Sequence, residues 1–388
     1  MDTKAGARER LEGLRPSLEA LSHRIHAKPE LGYEEEHAAA WLAEMLDQHG
    51  FKVTRGVAGL PTAFTARFGG GPLHVGICAE YDALPAIGHA CGHNIIAAAG
   101  VGAALAAAKV ADEAGLTVTL FGTPAEEVLR KGGKIVMLEQ GVFNGIHAAM
   151  MVHPGPWDVA EWPIIAATFF EVAYKGKESH AAGAPDRGIN ALDAMTVAQT
   201  SIGLLRQHLR PTDRVHGIVT KGGDVFNVVP ADVRGEFGVR AVTLDQLDGV
   251  YEKVARCFEA GALATGATLS ITGGDRPYAH MEHDHDLAML YQRNAEALGR
   301  RFPQAGGSTP ALPVSTDMGN VSLKVPSIHP GIGIGSSPAV NHQPAFAAHC
   351  VTPAGDQAIH DGALSMAWTA IDVAATPAQR ERLMARRG

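Results

Sequence analysis

Gly88-His89-Ala90-Cys91-Gly92-His93-Asn94 separates an apolar run, Leu73 to Ala79, from an Ala-rich run, Asn94 to Lys109. The first reads as a buried strand and the second as a helix, so Cys91 and His93 fall on a Gly-kinked turn where strand hands over to helix. In an open α/β sheet, ligands gather outside the carboxyl ends of strands. A thiol and an imidazole at such a place admit three readings: a metal site, a nucleophile with its base, or a buried thiol beside a structural histidine. A dinucleotide fingerprint is the weakest alternative. Gly100-Val101-Gly102 supplies a G-x-G, but position 105 is Leu and the pair sits inside the helix instead of on the turn.

The same arrangement recurs downstream. Leu116 to Phe121 reads as a strand, followed at once by Thr123-Pro124-Ala125-Glu126-Glu127 and then a helix from about Gly132 to Gln140. Ala148 to Val152 reads as a third strand, followed by His153-Pro154. Strands alternating with helices predict a parallel sheet. Three successive strands then each deliver a donor at the carboxyl end: Cys91 with His93, Glu126 with Glu127, and His153. Upstream, Leu11, Leu14, Leu18, Leu21 and Ile25 recur at helical spacing over residues 7–27, which Pro29 ends. A second helix is expected over about 34–48, and strands over 51–55 and 62–68.

Near residue 168 the pattern changes. Strand 168–174, helix 191–209, strands 215–221 and 233–239, helix 244–265 and strand 267–272 follow in the order β-α-β-β-α-β, that of a ferredoxin-like α+β unit. The expected organisation is a discontinuous catalytic domain, residues 1–167 and 278–388, with an inserted domain, residues 168–277. Helices 287–298 and 354–374 flank a Gly/Pro/Ser-rich passage, 304–345, and a polar helix over 375–388 ends the chain.

Length and composition narrow the function classes. A chain of 388 residues suits two domains, and 46% hydrophobic content supports a sizeable core. A net charge of −8 argues against nucleic acid as partner. No run approaches the roughly 18 apolar residues of a membrane span, and the charged stretch Met1 to Leu14 does not read as a signal peptide. Cys78, Cys91, Cys257 and Cys350 are scattered and form no disulfide framework, which fits a cytoplasmic protein.

The strand-end donors, joined by His342 in Val340-Asn341-His342-Gln343-Pro344, favour the metal reading. Cys91, His93, one of Glu126 and Glu127, His153 and His342 make a borderline-soft set suited to Zn²⁺ or Mn²⁺, with Co²⁺ also admissible. Five ligands exceed the four of one tetrahedral zinc, so two divalent ions are expected. Adjacent carboxylates suit a division of labour, one on metal and one exchanging a proton with water acidified by the metals to a pKa of about 7. Asp82, in Glu80-Tyr81-Asp82-Ala83-Leu84-Pro85, is the expected carboxylate behind a ligand histidine.

Together these motifs resemble the metal-dependent aminoacylase, carboxypeptidase and amidohydrolase superfamily, metallopeptidase family M-twenty. The resemblance runs through most of the chain. It includes His26-Ala27-Lys28-Pro29-Glu30-Leu31-Gly32 with Glu34-Glu35, Ser179-His180-Ala181-Ala182, Phe226-Asn227-Val228-Val229-Pro230 and Ser315-Thr316-Asp317-Met318-Gly319-Asn320. It implies a zinc-exopeptidase-like mixed-sheet catalytic domain, with the insert as a ferredoxin-like lid and dimerisation domain. It further implies metal ligation by Cys91, His93, Glu127, His153 and His342, Glu126 as general base, His180 polarising the scissile carbonyl, and Asn227 assisting substrate binding. Two positions depart from the commoner pattern: Glu80 stands where many relatives carry a histidine ligand, and Asn94 stands where Asp is commonest. The combination looks most like the branch of aminobenzoyl-glutamate hydrolase and β-alanyl-lysine-type dipeptidases.

The function expected is hydrolysis of the amide bond of a dipeptide-like, N-acyl or aroyl amino acid by a homodimer. Lid closure is expected through hinges near 167 and 277. The alternatives are a non-catalytic or regulatory subunit of a heteromeric amidohydrolase, and a cysteine hydrolase using Cys91.

Overall fold

A helix that is apolar on every side is stable only when covered on every side, and the run after Gly92 meets that condition. It is helical over His93–Ala108, and every residue from His93 to Ala107 is buried. Its small side chains let neighbours come close: a Cβ added at Gly102 would lie 2.9 Å from Leu18 Cδ1 and 3.0 Å from the Ala363 Cβ, and one at Gly100 would lie 3.2 Å from the Ala79 Cβ.

The computed structural model describes residues 2–303 and 313–385. The passage expected at 304–345 therefore lies partly outside the described residues. In chain order the elements are α1 (Thr3–Ala27), α2 (Glu36–Gln48), β1 (Lys52–Arg55), β2 (Phe64–Phe68), β3 (Leu73–Glu80), α3 (His93–Ala108), α4 (Ala111–Ala114), β4 (Leu116–Thr123), α5 (Gly133–Glu139), β5 (Ala148–Met150) and β6 (His153–Gly155). Next come β7 (Ala166–Lys175), α6 (Ala191–Leu205), β8 (Arg214–Lys221), β9 (Asp232–Ala241), α7 (Leu244–Thr265) and β10 (Thr268–Gly273). The chain continues with α8 (His285–Glu296), α9 (Met318–Ser322), β11 (Ser327–Ile328), β12 (Gly331–Gly333), α10 (Pro344–His349), α11 (Pro353–Ala375) and α12 (Pro377–Ala385).

Two compact units result. The first comprises Met1–Pro163, Met281–Pro313 and Asn320–Gly388; the second comprises Ile164–His280 and Val314–Gly319. In the first, six strands form one sheet in the order β1-β2-β4-β3-β5-β11. β3, β4, β5 and β11 run parallel to one another, but β1 and β2 are antiparallel to each other and β2 is antiparallel to β4. The sheet is therefore mixed and not wholly parallel. The link between β1 and β2 is too short for the crossover that a parallel pair needs. α1, α11 and β3 pack around α3. α1 begins at Thr3, earlier than the apolar spacing alone predicts, because the Asp2 side chain accepts from the Lys4 amide at 3.0 Å and caps the helix.

In the second unit, one sheet of order β10-β7-β9-β8 is antiparallel throughout and is backed by α6 and α7. That order is the ferredoxin-like one. Its core is aromatic: the Phe258 ring lies 4.8 Å from Phe237 and 6.1 Å from Phe170, both edge-on. Among the described residues, no helix is long and apolar enough to cross a membrane.

Gly92 fixes how α3 begins. Its φ is +80°, and a Cβ there would lie 2.4 Å from Pro154 Cγ, on the strand carrying His153. Glycine thus satisfies both the left-handed backbone and the close approach of two turns. Gly92→Ala is expected to destabilise the chain by at least the ~1–2 kcal/mol of a left-handed non-glycine residue and to lower bound metal, as read by a denaturant titration and by elemental analysis. Phe258→Ala is expected to cost about 3–5 kcal/mol of stability in the second unit, also by denaturant titration.

Candidate metal centre

Three turns at the carboxyl ends of β3, β4 and β5 bring their donors together, in keeping with the strand pattern, and a fourth turn adds His342. Cys91, His93 and His153 each place a donor atom within 4.8 Å of the others; so do Cys91, Glu127 and His342, and so do His93, Glu126 and Glu127. Cys91 Sγ lies 3.5 Å from His153 Nε2, and His342 Nε2 lies 3.2 Å from Glu127 Oε1. Cys91, His93 and Glu127 each belong to two of these clusters.

Asp82 links two of the turns. Its Oδ1 lies 2.9 Å from His93 Nδ1, and its Oδ2 accepts from the Glu127 amide at 2.8 Å. A proton on Nδ1 donated to Asp82 leaves the Nε2 lone pair facing the cluster. At the start of β6, His153 Nδ1 donates to the Pro154 carbonyl at 2.9 Å, so its Nε2 is likewise an acceptor. Burial lowers His153 to about 4, keeping it neutral, the form that binds a cation. Burial opposes charge on His93 as well, but Asp82 outweighs it and raises His93 well above its ordinary range.

The donor set fits a pair of divalent cations. His93 Nε2 and Glu80 Oε2 are buried, lie 3.5 Å apart, and make no hydrogen bond. Polar atoms left so in a dry site are costly unless something binds them. Burial and the Glu127 charge push the Cys91 thiol well above its ordinary range. A nucleophilic cysteine needs the opposite shift, whereas a coordinated cation deprotonates the thiol directly.

Several features of the site lie beyond what the sequence motifs imply. Lys134, at the start of α5 and fully buried, donates to Glu80 Oε1 at 2.5 Å. Glu80 is thus half engaged by a cation of the chain itself. Asn341 donates to the Pro154 carbonyl at 3.1 Å, tying the His342 turn to the His153 turn, while the His342 amide donates to the Ala90 carbonyl at 2.8 Å. His342 itself has φ +67°. Asn94 turns its amide to Ser22 Oγ at 2.8 Å and the Cys350 carbonyl at 3.3 Å, where it fastens the first turn of α3 to α1. Ala125 also has a left-handed φ of +59°, and its amide donates to Glu35 Oε1 at 2.7 Å. Lys134, at the head of a helix, carries no sequence signal that separates it from a surface residue, and Glu35, although part of a motif that carries the resemblance, has no role there.

His180 and Asn227 belong to the second unit, where they are neighbours. The Ala181 amide donates to the Asn227 carbonyl at 3.0 Å, and His180 pairs with Val228 in a short bridge. Asn227 and His180 are both exposed. His180 Nδ1 accepts from the Gly183 amide at 3.0 Å and the Ala182 amide at 3.2 Å, which assigns the proton to Nε2 and makes that atom a donor.

Comparison with known proteins identifies relatives of the chain. The sequence profile described as Peptidase family M20/M25/M40 matches residues 77–359. An Xaa-Arg dipeptidase of Mus musculus is 38% identical over 392 residues, covering 97% of this chain and 90% of the relative. One of the subunits of the p-aminobenzoyl-glutamate hydrolase of Escherichia coli is 33% identical over 283 residues, 67% of this chain and 58% of that one. A Bacillus subtilis structure, described as a dinuclear metal-binding peptidase, superposes with a TM-score of 0.70 at 24% identity, covering 94% of this chain and 99% of the other; that likeness is one of fold. With a family profile spanning most of its length and relatives matching nearly end to end, the chain belongs to Peptidase family M20/M25/M40.

Proposed function

We propose that the chain is a two-metal dipeptidase that hydrolyses dipeptide-like or aroyl amino acid amides. Family membership makes it a metal-dependent hydrolase of peptide-type amide bonds. The observation that carries the finer reading is the complete donor set on four turns of one unit, with Cys91 common to two clusters. Cys91, His93, Glu127, His153 and His342 are the proposed ligands. Thiolate and imidazole donors favour Zn²⁺, with Mn²⁺ or Co²⁺ as alternatives. The likeness to an Xaa-Arg dipeptidase over nearly the whole chain supports a dipeptide as substrate.

Ions held by these residues would supply Lewis acidity that lowers the pKa of water to about 7. Glu126, 4.0 Å from His93 Nε2 and beside the ligand Glu127, takes the proton from the attacking water and returns it to the leaving amine. Asp82 keeps His93 in the tautomer that points its lone pair inward. His180 Nε2–H is the proposed donor to the carbonyl oxygen as negative charge develops on it, and Asn227 the proposed substrate contact. The two units correspond in this reading to a catalytic domain and a lid.

A homodimer through the second unit is part of the proposal. β8 is an edge strand of its sheet, and it exposes Ile218 at 63% and Val219 at 37%. An apolar edge of that kind is usually covered. Four free, buried cysteines support a reducing, cytoplasmic setting.

Glu126→Gln is expected to lower turnover at least about 10³-fold, in the middle of the roughly 10²–10⁴-fold range of general acid–base catalysis, with metal content unchanged by elemental analysis. Turnover within tenfold of the parent excludes Glu126 as the base. The purified chain alone, loaded with Zn²⁺ or Mn²⁺, is expected to cleave members of a panel of dipeptides with basic carboxyl-terminal residues, acyl amino acids and aminobenzoyl-glutamate, and to lose that activity on chelation. Inactivity on the whole panel with both ions bound would favour a regulatory subunit.

A further inference from the structure

The turn that carries Glu126 and Glu127 is held in an unusual backbone conformation by two buried carboxylates, and only one of them touches a proposed ligand side chain. Asp82 takes the Glu127 amide and also His93. Glu35 takes the Ala125 amide at 2.7 Å and the Thr62 hydroxyl at 2.9 Å. Ala125 has φ +59°, a region that residues with a side chain seldom occupy without outside support.

Glu35 stands at the head of α2, a position where a short polar side chain ordinarily caps its own helix. Its side chain makes no such bond; both oxygens are directed elsewhere. The residue is fully buried, and burial together with the nearby Asp82 pushes its carboxyl up to about 7. The surrounding loop is fitted to the same turn. A Cβ at Gly32 would lie 2.4 Å from Val128 Cγ2 and 3.0 Å from Ala125 Cα, and the Tyr33 hydroxyl donates to the Lys131 carbonyl. Residues 32–35 thus form a seat for residues 125–131.

We infer that Glu35 is a positioning residue for the Glu126–Glu127 pair, acting through the Ala125 amide. This rests on the reading of Glu126 as base and Glu127 as ligand. Successive residues aim in different directions only while the backbone between them is fixed. Ala125 precedes the pair, so release of its amide lets both carboxylates swing together. Asp82 alone fixes the turn at one amide; Glu35 fixes it two residues earlier.

Two variants separate the acceptor from the bulk. Glu35→Met keeps the length of the side chain and removes the acceptor; Glu35→Gln keeps a carbonyl for the Ala125 amide. In the metal-free protein, amide hydrogen exchange over residues 123–128 is expected to be slow in the parent and in Glu35→Gln and at least tenfold faster in Glu35→Met. Titration of the metal-free protein with Zn²⁺ is expected to show affinity weakened about 10–100-fold in Glu35→Met, the usual effect of losing a group that orients a ligand. With both sites saturated, kcat should fall about 10²-fold, as a misplacement near 1 Å does, with KM changed less than about threefold. Glu35→Gln is expected to restore most of each property.

Fast exchange at Ala125 in the parent overturns the inference without any variant, which covers the case of Glu35→Met failing to fold. So does Glu35→Met with exchange, Zn²⁺ affinity and kcat all within twofold of the parent, or Glu35→Gln impaired as severely as Glu35→Met. Glu126→Gln retaining turnover would instead remove the base assignment, leaving the exchange and titration results to decide on Glu35.

Discussion

The Asp82 carboxylate is the constraint on which the site depends. One oxygen faces His93 at the start of α3 and the other accepts the Glu127 amide after β4, at 2.9 and 2.8 Å. Asp82 itself follows β3 closely. One side chain therefore references two neighbouring strands and the central helix to each other. Burial works against its charge, but His93 outweighs that and holds Asp82 below the ordinary carboxylate range. An acid so placed stays ionised and fixes which nitrogen of His93 is available.

The electrostatics of the cluster follow from the company it keeps. Glu80, Asp82, Glu126 and Glu127 crowd one small, largely dry region. Anions in a low-dielectric region repel strongly unless cations intervene. The chain supplies one cation of its own, Lys134, fully buried against Glu80. That pairing gives the departure at position 80 a physical sense. A carboxylate in place of a histidine adds a negative charge, and Lys134 cancels it within the same pocket.

Much of this was legible in the sequence, for a reason particular to the fold. Candidate site residues at strand ends declare themselves because the strands are apolar runs that polar side chains interrupt sharply, as Cys91 does after Leu73–Ala79 and Glu126 after Leu116–Phe121. The ferredoxin-like order was equally plain from alternating strands and helices. What stayed hidden depends on distance in space. Lys134 and Glu80 are far apart in sequence, and Glu35 reaches Ala125 across four strands and the central helix of the chain. The antiparallel setting of β1 and β2 is set by a short connection and not by their composition. Asn94 illustrates the same limit: its neighbours in sequence are proposed metal ligands, but its hydrogen bonds run to Ser22 and Cys350.

His342 arrives nearly half the chain after His153, with the whole of the second unit encoded between them. α11, which packs on the central helix, comes later still. On a ribosome that releases roughly 5–20 residues per second, the earlier donors emerge long before the last one. On the proposed ligand set, the nascent protein has time to fold its second unit while the metal centre waits for its final side chain. Competence for catalysis is then conferred near the end of synthesis, and a chain truncated before residue 342 has a site that holds its ions incompletely. The order of residues along the chain acts as a checkpoint on completeness.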